Sequence, residues 1–181
     1  MTMIAPAWNE LALCELGAHW QSRLAYPRGA TGLPLGAGPA SPARRRERRG
    51  PPPGHVRLAV VGAHLTGMPL HRELTDQQAV FVERTTTSTA YRLYALADTV
   101  PPKPGLARAD DGAPIEVEVW DLPTSAFGAF VAGIPAPLGI GTLELADGRE
   151  VKGFICEPWA LARAKDITTF GGWRAYLAAH G

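Results

Sequence analysis

The chain has 181 residues, 46% of them hydrophobic, a length that suits one ordinary domain plus an extension and allows a core without covalent staples. A formal net charge of +1 excludes any global electrostatic pull toward nucleic acid or an anionic membrane. Two cysteines, Cys14 and Cys156, are too few and too far apart for a disulfide framework or a zinc site, and no apolar run approaches the ~20 residues that span a bilayer.

Ala7 to Arg23 reads as a helix, with Trp8, Leu11, Leu13, Leu16 and Trp20 crowding one side. Asn9, Glu10 and Glu15 interrupt its apolar stretch and no basic region precedes it, so it does not read as a signal peptide. The expectation is a soluble, cytoplasmic protein without metal or organic cofactor, and with both thiols reduced. Residues 1–26 are thus expected to be a helical segment. Residues 27–54 are rich in proline and glycine, carry the cluster Arg44, Arg45, Arg46, Arg48 and Arg49, and read as a linker. The basic run lacks interleaved aromatics, so nucleic acid is not an expected partner.

From residue 55 the texture changes to that of a folded domain, 55–181. Arg57 to Val61 is a short β-branched run stopped by Gly62. Tyr91 to Leu96 alternates large side chains, and Ile115 to Trp120 alternates apolar and acidic residues with period two. Pro123 to Gly133 fits a short helix, with Ser125 as its cap and Phe127, Phe130 and Val131 on one side. Ile140–Leu145 and Glu150–Cys156 flank Asp147-Gly148, which predicts a β-hairpin closed by a type I′ turn. Glu157 to Lys165 fits a turn or two of helix with Pro158 in the first turn, and Gly172 to Ala179 a terminal helix. Strands with few helices and Gly/Pro-rich connections predict an α+β fold or a small closed sheet.

Three places could carry chemistry. In Val60-Val-Gly-Ala-His-Leu-Thr-Gly-Met-Pro-Leu70 a strand ends in glycine and delivers His64 to a rim, where backbone N–H groups of Gly62, Ala63, His64 and Leu65 can form an anion-accepting hollow. The loop Gly133-Ile-Pro-Ala-Pro-Leu-Gly-Ile-Gly141, rigidified by Pro135 and Pro137 and containing Gly139, is either a plain connector or a pocket wall. Glu116 and Glu118 share one face of a strand; with Glu144 and Lys152 they read by default as solvated sheet positions. No P-loop, dinucleotide fingerprint, Gly-x-Ser-x-Gly or His-Glu-x-x-His is present.

Six ordered blocks resemble the C-terminal domain of allophanate hydrolases: Val61–Leu70, Tyr91–Leu96, Ile115–Trp120, Gly133–Leu145, Val151–Phe154 and Asp166-Ile-Thr-x-Phe-Gly-Gly-Trp173. The resemblance covers about Val56 to Leu177. It implies a γ-glutamylcyclotransferase-like fold, a small mixed β-barrel with flanking helices, whose strand-to-loop glycine motif holds substrate at the barrel mouth; Gly62 to Leu65 match that place. It implies further that the domain decarboxylates N-carboxycarbamate, a small anionic product of an amidase-signature domain or subunit. No amidase-signature stretch is present in these residues, and Leu11 to Leu35 resembles the tail of such a domain with its linker. The chain then reads as a free-standing subunit or a fragment.

On this reading His64 is a general acid for loss of CO₂, because cleaving the N–C bond leaves charge on nitrogen unless a proton arrives. Backbone N–H groups of Gly62 to Leu65 and of the Pro135–Gly139 loop supply donors, and Arg92 or Lys152 balances a carboxylate. Two alternatives remain open. One is a docking or dimerisation module for an amidase, with the N-terminal helix as its handle. The other is γ-glutamyl cyclotransfer with Glu116, Glu118 or Glu144 as base.

Overall fold

The structure is a computed structural model that describes residues 50–180. The helix expected at Ala7–Arg23, Cys14 and residues 27–49 of the linker lie outside the described residues.

The elements run β1 (His55–Val60), α1 (Arg72–Thr75), β2 (Val80–Thr86), β3 (Tyr91–Ala95), β4 (Pro104–Arg108), β5 (Glu116–Pro123), α2 (Thr124–Ala132), β6 (Leu138–Glu144), β7 (Glu150–Cys156), α3 (Pro158–Leu161), β8 (Lys165–Asp166), a 3₁₀ turn (Thr168–Phe170) and α4 (Trp173–Ala178). The architecture is α+β. A five-stranded sheet has the order β2-β5-β1-β7-β6 and a three-stranded sheet the order β4-β3-β8. The edges of the larger sheet meet just beyond β2 and β6. Thr87 bridges Leu145, Ser88 N–H donates to Glu144 O at 2.8 Å and Ala146 N–H donates to Thr86 O at 2.9 Å. Those bonds make the sheet barrel-like and leave less of its two edges open.

β5 lies between β2 and β1, antiparallel to both, and six consecutive residues from Val117 to Leu122 are buried. The acidic residues of this strand therefore do not form a solvated face. Glu118 is fully buried, and Asp121, also buried, takes both Nε and Nη2 of Arg57 at 2.8 Å. Burying a carboxylate is tolerated only with such partners. Between the sheets and their loops sit Leu58, Leu65, Leu93, Val119, Leu143 and Ile167, all inaccessible to solvent.

Local expectations meet tertiary corrections at three places. α2 starts at Thr124 directly after β5, with Pro123 at its N-cap position and no side-chain cap, so Ser125 does not cap it; Ala126, Phe127 and Phe130 pack on the core. The Asp147-Gly148 hairpin forms, but with positive φ at Gly148 alone (+80°); Gly148 N–H bonds Leu145 O and Leu145 N–H bonds Arg149 O, each at 2.8 Å. That is a three-residue loop with a left-handed glycine rather than a two-residue type I′ turn. Of the one or two helical turns expected within Glu157–Lys165, one forms, over Pro158–Leu161. Lys165 and Asp166 pair instead with Ala95 and Tyr94 of β3, whose free edge offers hydrogen bonds that a lone surface helix turn does not. Among the described residues no helix is long and apolar enough to cross a membrane.

Candidate active site

Parallel pairing of β1 with β7, and antiparallel pairing of β7 with β6, bring the C-terminal ends of β1 and β7 and the start of β6 to one rim. There the chain leaves β1 through a tight turn. Leu65 N–H closes on Gly62 O at 2.9 Å, and Leu70 N–H returns to Ala63 O at 2.8 Å. Leu65 is anchored in the core with no exposure. Gly62 is required by close approach, since a Cβ there would lie 2.3 Å from Pro104 Cδ. The N–H groups of Gly62, Ala63 and His64 make no hydrogen bond within the described residues. Consecutive N–H groups without a partner are able to donate to an anion where they converge.

These residues line a cavity of about 560 Å³. His64 stands in it with its side chain 12% exposed. Its ring stacks on Phe154 of β7 at 5.1 Å and 21°, and meets the edge of Phe130 of α2 at 5.4 Å. Nε2 lies 2.8 Å from Oε2 of Glu73 on α1, and Nδ1 has no partner within the described residues. Burial lowers the imidazole pKa below its ordinary value; Glu73 opposes this by hydrogen bond and charge, and the positive charge of Lys103 adds to the lowering. The ring at rest is thus neutral near pH 7. Its Nε2–H donates to Glu73, and Nδ1 carries the free lone pair.

Pro135, Ile134, Gly133 and Leu138 form the opposite wall. This loop is a wall more than a source of donors: prolines 135 and 137 have no N–H, and Leu138 N–H is taken by Pro135 O at 3.1 Å. Pro137 does not line the cavity; its carbonyl accepts from Glu157 N–H at 2.9 Å. Gly139 is paired with Ile155 inside the sheet. Arg92 is held outside by Asp111 and, at 3.1 Å, by Asp166. Lys152 bonds Thr142 at 3.1 Å. The basic side chain that does reach the cavity is Lys103. Glu116, Glu118 and Glu144 are absent from its walls; Glu73 and Asp76 are the carboxylates there. Among the described residues no three His, Cys, Asp or Glu side chains are grouped to hold a metal ion.

The sequence profile of the allophanate hydrolase C-terminal domain matches residues 56–178. The chain belongs to that family. Urea amidolyase of Saccharomyces cerevisiae is 39% identical over 185 residues, a match covering 98% of this chain and 10% of the yeast protein. The chain therefore spans about a tenth of the length of the curated relatives it matches. Among solved structures, Kluyveromyces lactis allophanate hydrolase aligns with TM-score 0.68 and 45% identity, over 70% of this chain and 22% of that one. A uropathogenic Escherichia coli-specific protein, c4763, aligns with TM-score 0.64 and 35% identity, over 68% of this chain and 96% of its own. In c4763 the matched region is thus almost the whole chain. A Pyrococcus horikoshii protein, PH0828, shares the fold at TM-score 0.54 and 22% identity.

In this allophanate hydrolase C-terminal domain, sequence reading missed Glu73, Lys103, Phe130 and Phe154 as parts of one site. Glu73 carried a weak signal, lying nine residues after His64 beyond a proline-containing loop. Lys103 follows Pro101-Pro102 with no local pattern.

Proposed function

We propose that this domain acts in allophanate breakdown, releasing CO₂ from N-carboxycarbamate with His64 as general acid. The observation that carries the reading is His64 itself: half a dyad with Glu73, beside three free N–H donors, in a cavity. In the reaction the N–C bond breaks, its electron pair stays on nitrogen, and CO₂ leaves. The proton from the imidazolium completes carbamate, and solvent returns a proton to the ring. Because Glu73 occupies Nε2, Nδ1 is the nitrogen that faces substrate. The resting ring is neutral, so it must gain its proton in the complex. A bound dianion favours that charge, as Glu73 already does. Asp76 at the rim works against an anion, and the three N–H groups and Lys103 offset it.

General acid catalysis is worth ~10²–10⁴-fold. The substrate also decomposes unaided, so a modest catalyst suffices. The substrate would come from an amidase domain or subunit. The near-complete alignment with c4763 supports a domain able to stand alone. The cytoplasm suits that supply. A cavity around His64 favours this reading over a docking module. Cyclotransfer loses the three carboxylates nominated for it, since none lines the cavity.

The test is His64→Asn, with CO₂ release followed from freshly generated N-carboxycarbamate. The rate should fall by ~10²–10⁴ with the fold intact. An unchanged rate removes His64 from the chemistry.

A further inference from the structure

The carboxylate of Glu118 is fully buried on β5 yet does not line the cavity that holds His64. A buried ion pair is weak evidence for stability, because well-packed apolar groups of similar volume serve as well or better. Its contacts point to another use. Oε2 accepts both the backbone N–H and the hydroxyl of Thr66, each at 2.8 Å. Oε1 accepts Nη2 of Arg174 at 2.8 Å and Nη2 of Arg84 at 3.2 Å. Nη2 of Arg174 also donates to Thr66 O at 2.8 Å, and Nη1 of Arg174 to Glu116 Oε1 at 2.8 Å.

Thr66 is two residues past His64. On one side the turn is sunk into the core by Leu65; on the other it is tied to Glu118 through Thr66. His64 directly precedes these two anchors, so they fix the chain from which its ring projects. The Gly171-Gly172-Trp173-Arg174 block, which the proposed chemistry leaves unused, explains how the clamp is assembled. A Cβ at Gly172 would lie 2.9 Å from Glu116 Cβ, so glycine lets the start of α4 approach β5 and set Arg174 over both glutamates. Trp173, 2% exposed, nails that helix to the core.

We propose that Glu118 is a positioning residue: locked by Arg174 of the C-terminal helix, it grips Thr66 and thereby sets the His64 imidazole in the cavity. The inference rests on the reading of His64 as the working group. It adds that the last helix controls the geometry of a site to which it contributes no side chain.

Thr66 is itself exposed, so its substitution removes no apolar core contact and takes from the buried Glu118 carboxylate only one of its hydrogen bonds. Thr66→Val keeps the shape and removes the hydroxyl arm; Thr66→Ser keeps the arm. Arg174→Ala removes the lock. Two readouts apply: the NMR titration of the His64 ring, and kcat against KM for CO₂ release. In Thr66→Val and Arg174→Ala the His64 titration should move up toward the ordinary histidine value as the ring loosens from its buried seat. Their kcat should fall about tenfold, the scale of one hydrogen bond to a charged group, with KM little changed. Thr66→Ser should restore both. If folded Thr66→Val and Arg174→Ala leave the titration and kcat as they were, the inference is overturned. If His64→Asn proves fully active, the proposed chemistry fails. The titration shift in Thr66→Val then still decides the positioning role, because it needs no turnover.

Discussion

Gly62 makes the sharpest stability prediction. An alanine methyl there would sit 2.3 Å from Cδ and 2.5 Å from Cγ of Pro104. An ordinary carbon contact is about 3.5 Å, so roughly 1 Å of relative movement is needed. The proline ring cannot swing aside as a flexible side chain would, so the turn or the start of β4 must shift. Overpacking of this kind costs about 1–3 kcal/mol. For a unit of this size that lowers Tm by about 3–15 °C. The sign is informative, because Gly→Ala at an unstrained, uncrowded site stabilises by about 0.4–1 kcal/mol through the unfolded chain. Thermal unfolding followed by circular dichroism measures the effect. Pro104→Ala in the Gly62→Ala background should recover most of the loss, a coupling of about 1 kcal/mol or more in a double-mutant cycle. A Gly62→Ala protein as stable as the parent, or a cycle with no coupling, would refute the close-approach argument.

Asp121→Ala should cost about 1.5–3 kcal/mol in urea unfolding, since it removes the two charge-assisted hydrogen bonds to the largely buried Arg57 guanidinium; a loss under about 0.5 kcal/mol would refute a stabilising role for the pair. Tyr91→Phe removes the hydroxyl that accepts Glu144 N–H at 2.9 Å, and should cost about 1 kcal/mol without altering CO₂ release. The lowered pKa of His64 means that the unfolded chain binds more protons than the folded one just below pH 6.5. Stability from this group is complete above that value and is lost as pH falls through the folded pKa. A His64→Gln variant should show a flatter stability profile between pH 7 and pH 5, and an unchanged slope would contradict the burial of the ring. Burial pushes the Glu118 carboxyl up, but Thr66 and Arg174 bring it below its ordinary value. Its contribution is therefore present above pH ~4.5 and disappears as pH falls further, which Glu118→Gln should abolish as an acid limb in the unfolding curve.

What the sequence alone determined is what short-range physics encodes. Alternation over Ile115–Trp120 and Tyr91–Leu96 marked β5 and β3, because side chains of a strand alternate faces whatever its neighbours are. Asp147-Gly148 marked the hairpin, and the glycine stop after Val61 placed His64 at a strand end. The ordered blocks carried the family. β2 and β4 escaped notice: the first reads as a mixed polar run, and the second opens on Pro-Gly, which locally signals a break.

Tertiary structure alone decided which charges face the cavity and which are consumed elsewhere. The partner of His64 comes from α1, its stacking platform from β7, and its nearby cation from the chain before β4. Glu118 reads as a solvent-facing residue until Arg174, 56 residues later, folds over it. Arg92 and Lys152 carry the charge a substrate would need, but strand pairing points them at Asp166 and Thr142. Local patterns specify conformation because neighbouring residues compete for the same backbone angles. The environment of a side chain depends instead on segments brought together by burial, and no window of neighbouring residues contains that information.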